Sequence, residues 1–198
     1  MKNILLLGDS IRQNYQEYVK ECLQGMADVY YPNDNGRFCQ YTLRYLHEWI
    51  GALSRHGEIT FDVVHFNCGL WDILRLSNEQ KPFTDEILYE ELLRRIIDRI
   101  KYLCPKAHLI FALTTKVIEP GFEPGIMVGE RRNADIQRYN KIAKCVCANM
   151  KIAVNDLWSV SDCISEKAHS DMVHFETEIG IHALGTQVAE CLKQYCGG

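Results

Sequence analysis

The sequence predicts an α/β fold, a three-layer α/β/α sandwich around a mostly parallel sheet of five strands. Two observations carry this expectation. Short apolar runs rich in β-branched and aromatic residues recur five times, as expected of strands covered on both faces. Between them lie longer stretches whose apolar residues return at helical spacing, and this strand-helix alternation is the signature of a parallel sheet with helices on either side.

The first strand is read over Asn3–Leu7 and ends on Gly8-Asp9-Ser10, with a helix opening near Ile11. A short second strand spans Ala27–Tyr31. Leu43, Leu46, Ile50 and Leu53 then mark a helix, and Phe61–Phe66 the third strand. Leu88, Leu92, Ile96 and Ile100 give the next helix, which Pro105 ends. Ala107–Leu113 is the fourth strand. Ile136, Tyr139, Ile142 and Val146 form a helix that Asn133 or Asp135 is placed to cap. Lys151–Val154 is a weak fifth strand, followed by a last helix through Ile179, Ala183, Val188 and Leu192. Lys116–Glu130, rich in Pro and Gly, is a long irregular segment on the edge where the first strand delivers Ser10, and loops of this length are often functional.

The 198 residues suit one domain spanning 1–198. The apolar fraction of 47% is that of an ordinary globular protein. A net charge of −4 implies no general affinity for nucleic acid. The basic pairs Arg94-Arg95 and Arg131-Arg132 sit in mixed-charge segments and read as solvated faces. No apolar stretch approaches the roughly 20 residues of a membrane helix, and the apolar run after Lys2 is broken by Gly8-Asp9-Ser10 too early for a secretory signal. A cytoplasmic setting is the expectation. The nine scattered cysteines include no Cys-x-x-Cys pair and read as free thiols, with no metal site.

Chemistry is expected where the strands end. An apolar strand stopping on Gly8-Asp9-Ser10 can lift a serine hydroxyl to the edge of the sheet. Ser10 also reads as a helix N-cap, and a helix N-terminus behind it would point backbone N–H groups at a developing oxyanion. Asp171-Met172-Val173-His174 sets an acid three residues before a histidine, as required of a base oriented by a carboxylate. His65, His169 and His182 are competing bases. After the third strand, His65-Phe66-Asn67-Cys68-Gly69-Leu70-Trp71-Asp72 brings the Asn67 amide to the Ser10 edge, and Asp72 reads as a ligand of neighbouring loop backbone. Cys68 has no activating neighbour in sequence. Asn33-Asp34-Asn35-Gly36-Arg37 is a turn in which Gly36 either serves the turn alone or brings its N–H close to a substrate.

Taken together these blocks resemble the SGNH (GDSL-type) hydrolase family over nearly the whole chain. Gly8-Asp9-Ser10 is similar to its first block, Gly36 to its second-block glycine and Asp171-x-x-His174 to its last block. The resemblance implies a flavodoxin-like α/β fold, a Ser10-His174-Asp171 triad, an oxyanion hole from the Ser10 and Gly36 N–H groups, and no metal or cofactor. The third block departs from the family's Gly-x-Asn-Asp, because Gly69-Leu70-Trp71-Asp72 has Trp71 where the asparagine stands. Either Asn67 supplies the missing amide or the hole has two backbone donors only. The resemblance implies ester hydrolysis, on acetylated carbohydrates, longer acyl esters, lipids or thioesters, and of these a small acyl group, acetyl on a carbohydrate-like alcohol, is the expectation. Trp71 either stacks on the substrate or packs in the core. An acyltransferase on the same site, and a non-catalytic domain holding an anion at the Ser10 helix N-terminus, are the alternatives.

Overall fold

In the computed structural model, which describes residues 1–119 and 128–197, Ala27–Tyr30, Lys2–Leu7, Val63–Phe66, His108–Ala112 and Ala153–Asn155 pair side by side in that order as a parallel sheet. The elements are β1 (Lys2–Leu7), α1 (Ser10–Cys22), β2 (Ala27–Tyr30), α2 (Cys39–Leu53), β3 (Val63–Phe66), β4 (Arg75–Leu76), α3 (Glu86–Leu103), β5 (His108–Ala112), β6 (Gly129–Glu130), α4 (Asn133–Met150), β7 (Ala153–Asn155), α5 (Leu157–Cys163) and α6 (Glu178–Lys193). The register pairs Ile4 with both Val29 and Val63, and Val63 with His108. Ile4–Leu7, Val63, Val64, Phe66 and Ile110–Ala112 are almost fully buried, so the centre of the sheet is covered on both faces. One layer packs α1 against α6 and α6 against α5, and the other packs α2 against α3 and α3 against α4.

The three-layer, five-stranded architecture is the one expected from the sequence. Its details differ where local geometry intervenes. The strand read over Lys151–Val154 starts later, because Lys151 closes α4 in a left-handed conformation with φ of 57°. The cap expected of Asn133 or Asp135 is absent. Arg132 is the N-cap residue and makes no side-chain cap bond. Asn133 instead clamps the chain after β5, accepting from Val117 N–H and donating to Val117 O. Asp135 is buried and takes a two-pronged bond from Arg75 at 2.7 and 3.0 Å. The irregular segment read over Lys116–Glu130 lies partly outside the described residues, at 120–127. Its last two residues are β6, which pairs antiparallel with β4 as Arg75↔Glu130 and Leu76↔Gly129. The short helix α5 was not anticipated.

The chain winds from β1 outward to β2 and then returns past β1 to β3. The order therefore reverses between β1 and β3, and in open α/β sheets ligands sit beyond the carboxyl ends at such a point. Gly8-Asp9-Ser10 follows β1 there, and Asn67 follows β3.

Candidate active site

Ser10 opens α1, and the residue that caps the helix is Asp9, whose carboxylate accepts from Ile11 N–H at 3.0 Å. This corrects the reading of Ser10 as the N-cap. It leaves the serine hydroxyl free, and it meets His174 Nε2 at 2.9 Å. Gly8 makes the turn possible. Its φ is +155°, and a Cβ there would fall 1.8 Å from Asn67 Oδ1.

His174 comes from the loop before α6. Its Nδ1 lies 2.6 Å from Asp171 Oδ2, while Asp171 Oδ1 accepts the backbone N–H groups of Val173 and His174 at 2.6 and 2.7 Å. The acid thus folds its own loop and orients the ring it serves. Partial burial pushes the Asp171 carboxyl up, but the His174 ring and the two backbone N–H groups outweigh it and hold the carboxyl below its ordinary value. The loop is docked on both sides. Phe175 N–H donates to Asn14 Oδ1, one turn along α1 from Ser10, and Ile118 N–H donates to Met172 O.

The competing histidines are elsewhere. His65 is fully buried in β3 against Asn155, His182 stacks on Tyr18 at 4.5 Å, and His169 lies against Phe175 at 3.9 Å. Cys68 is buried with its thiol pushed up, the opposite of an activated nucleophile. Asp72 binds loop backbone as expected. Its carboxylate accepts Cys39 N–H at 3.1 Å and so caps α2 from a distance.

Gly36 does not supply a free N–H. Its amide donates to Gly8 O at 2.9 Å, and a Cβ at Gly36 would sit 2.9 Å from Gly8 C and O. The donor expected to face a substrate is spent on joining the second loop to the Gly8-Asp9-Ser10 turn. The Gly36 carbonyl is held in turn by Thr42 Oγ1 at 2.7 Å. Of the expected oxyanion donors, Ser10 N–H lies in the first turn of α1, where no carbonyl of the helix itself is available. Asn67 is beside it. Its Oδ1 is buried against Gly8, and its amide lies near the Asp9 carboxyl. Burial pushes that carboxyl up, opposed by the Asn67 amide and Ile11 N–H. Trp71 is half-buried on the same loop.

Two residues of this region escaped the sequence reading. Arg12 is wholly buried and donates to Gly8 O, Pro32 O and Asp34 O at 3.2, 2.9 and 2.6 Å. Burial pushes its guanidinium down to about 10, still charged at neutral pH. Arg131 was read as part of a solvated face. It is instead half-buried and donates through Nε to Leu70 O at 2.7 Å, and the charges of Asp9 and Asp171 both act on it. Among the described residues, no group of three or more His, Cys, Asp or Glu side chains could hold a metal ion, and no helix is long and apolar enough to cross a membrane. Beside the Gly8-Asp9-Ser10 turn, Asp9, Asn67, Leu70 and Thr115 line a cavity of about 10 Å³, with room for one water at most.

No family model and no curated relative matches the chain. Solved structures do. A lipase/acylhydrolase from Enterococcus faecalis superposes with a TM-score of 0.75 at 21% identity, covering 98% of this chain and 96% of that one. The aryl esterase of M. smegmatis gives 0.75 at 16% identity over 98% and 100%. The acetyl xylan esterase AlAXEase gives 0.73 at 15% identity over 96% and 99%. The chain shares the three-layer fold of these structures over 96–98% of its own length and 96–100% of theirs.

Proposed function

We propose that this protein is a serine esterase that removes small acyl groups by way of a covalent acyl-enzyme. The observation that carries the reading is the unbroken hydrogen-bond chain from Ser10 Oγ through His174 to Asp171. His174 Nε2 takes the Ser10 proton as Oγ attacks the acyl carbonyl, and Asp171 fixes the tautomer and steadies the imidazolium. Ser10 N–H, with the Asn67 amide, stabilises the tetrahedral oxyanion. His174 protonates the departing alcohol. It then deprotonates a water that attacks the acyl-enzyme, releasing the acid and restoring Ser10. No step calls for a metal or cofactor. An acetyl group on a carbohydrate alcohol fits the likeness to an acetyl xylan esterase and the half-buried Trp71 on the loop that carries Asn67. A domain that only held an anion at the α1 N-terminus would have no use for a histidine clamped to an aspartate.

Intact-mass spectrometry after treatment with a fluorophosphonate tests this. Wild type gains one adduct and Ser10→Ala none, and wild type hydrolyses 4-nitrophenyl acetate. A folded wild type that neither labels nor hydrolyses the ester sinks the reading.

A further inference from the structure

Arg131 is held in place from both sides. Before it, Glu130 and Gly129 pair with Arg75 and Leu76, and a Cβ at Gly129 would meet Arg75 O at 2.0 Å, so the ribbon is in close contact. Arg75 is itself fastened to Asp135 of α4. After Arg131, Asn133 is clamped to Val117. The side chain is then tied by Nε to Leu70 O, on the loop that carries Asn67 and Trp71.

This tether uses one of five donors. Among the described residues, no acceptor meets the two terminal nitrogens of Arg131, and no carboxylate lies within salt-bridge reach. Leu70, whose carbonyl holds the guanidinium, lines the same small cavity as Asp9 and Asn67, and while burial pushes the guanidinium down, the charges of Asp9 and Asp171 oppose it. A pre-positioned guanidinium fork with open donors matches a carboxylate in two-pronged geometry. Arg12, by contrast, spends its terminal nitrogens on three backbone carbonyls and the Gln16 side-chain oxygen.

We propose that Arg131 is a specificity-determining residue of this site, its tethered guanidinium presenting its free fork to a carboxylate on the ester substrate. The substrate class is thus an acyl ester with an anionic group beside the scissile bond. This rests on the esterase reading for its chemistry. The anion subsite itself is testable without turnover.

The experiment compares anionic and neutral esters of matched shape. Charge on the alcohol side is read from 4-acetoxybenzoate against methyl 4-acetoxybenzoate. Charge on the acyl side is read from 4-nitrophenyl hydrogen succinate against 4-nitrophenyl butyrate. For one pair, wild-type kcat/KM should favour the anion about tenfold to a hundredfold, the worth of a charge-assisted pair. Arg131→Gln should bring that ratio near one. Arg131→Lys should recover only part of it, since an ammonium cannot hold Leu70 O and fork to a carboxylate together. Both ratios near one in wild type, or a preference that survives in Arg131→Gln, would overturn the inference. Calorimetry on Ser10→Ala protein separates the two readings. Succinate or 4-hydroxybenzoate binding about tenfold more weakly when Arg131→Gln is added supports the anion subsite even if no ester turns over. Equal binding in the two proteins removes it even if the esterase reading stands.

Discussion

Gly36 donates its N–H to Gly8 O at 2.9 Å, so the second loop is stitched to the Gly8-Asp9-Ser10 turn, not held open toward a substrate. The contact has no slack. A Cβ on Gly36 would press on backbone atoms of Gly8, which cannot rotate away as a side chain would. Gly36→Ala is therefore expected to cost about 1–3 kcal/mol in urea denaturation, as overpacking does. It should slow fluorophosphonate labelling by roughly tenfold to a hundredfold, because small misplacements at a reacting centre are costly. An alanine variant with wild-type midpoint and labelling rate would show that the stitch does not set the position of Ser10.

Arg12 performs the same task from within α1. One buried guanidinium satisfies Gly8 O, Pro32 O and Asp34 O. Arg12→Met removes the charge but strips Pro32 O and Asp34 O of the donor that Arg12 supplies. Each buried acceptor left unpaired costs about 1–3 kcal/mol. The variant should lose roughly 2–5 kcal/mol by urea titration. Arg12→Lys should also be destabilised, because an ammonium cannot match the fork. Stability unchanged in both variants would contradict this account.

These two residues also mark where the sequence stopped being legible. The central strands β1, β3 and β5 are readable because each is a short run buried on both faces, while the edge strands β2 and β7 keep exposed residues and give weaker signals. Ser10 is readable because it closes such a run, and Asp171 and His174 because an acid three residues before a histidine has the spacing of an oriented base. The structure brings them into one hydrogen-bond chain. The rest depends on long-range pairing. Arg131 beside Arg132 has the pattern of a solvated pair, as Arg94 and Arg95 do with Glu90 and Glu91 one turn away. Only the fold brings Leu70 O to it. The ribbon β4–β6 has two residues per strand, too few for any period to show. Gly36 is a glycine at a close approach, but what approaches it is Gly8 backbone and not a substrate, and only the folded chain distinguishes the two.

Asp171 combines two roles that a conservative change separates. Asp171→Asn keeps an oxygen for the N–H groups of Val173 and His174, so the loop should fold and the midpoint should move little. The Oδ2 bond to His174 Nδ1 is the one that suffers, since an amide in that place presents an N–H to the ring and favours the wrong tautomer. The expected result is a fall of about a thousandfold or more in kcat for 4-nitrophenyl acetate, with KM changed far less. Near-wild-type kcat in a folded Asp171→Asn protein would remove Asp171 from the triad.

His65 offers a prediction about acid stability that does not depend on the site. It is fully buried in β3, and Asn155 fixes its tautomer. Asn155 Oδ1 accepts from Gln187, so its Nδ2 is left to donate to His65 Nε2 at 3.2 Å. The ring is thus neutral, and burial pushes its pKa down to about 4 from an ordinary 6.5. Above about 6.5 the ring is neutral in folded and unfolded chains alike, and its contribution to stability is complete. As pH falls from 6.5 toward 4 the unfolded chain takes up the proton first, and stability is lost across that window, in total about 3 kcal/mol. Below 4 the folded form is protonated too and the loss levels off. Replacing the ring by an uncharged acceptor, His65→Gln, should flatten this part of the curve of unfolding free energy against pH. Urea titrations at intervals from pH 7.5 to 4 on both proteins measure it directly. Parallel curves would mean that His65 is not the residue through which acid destabilises the fold.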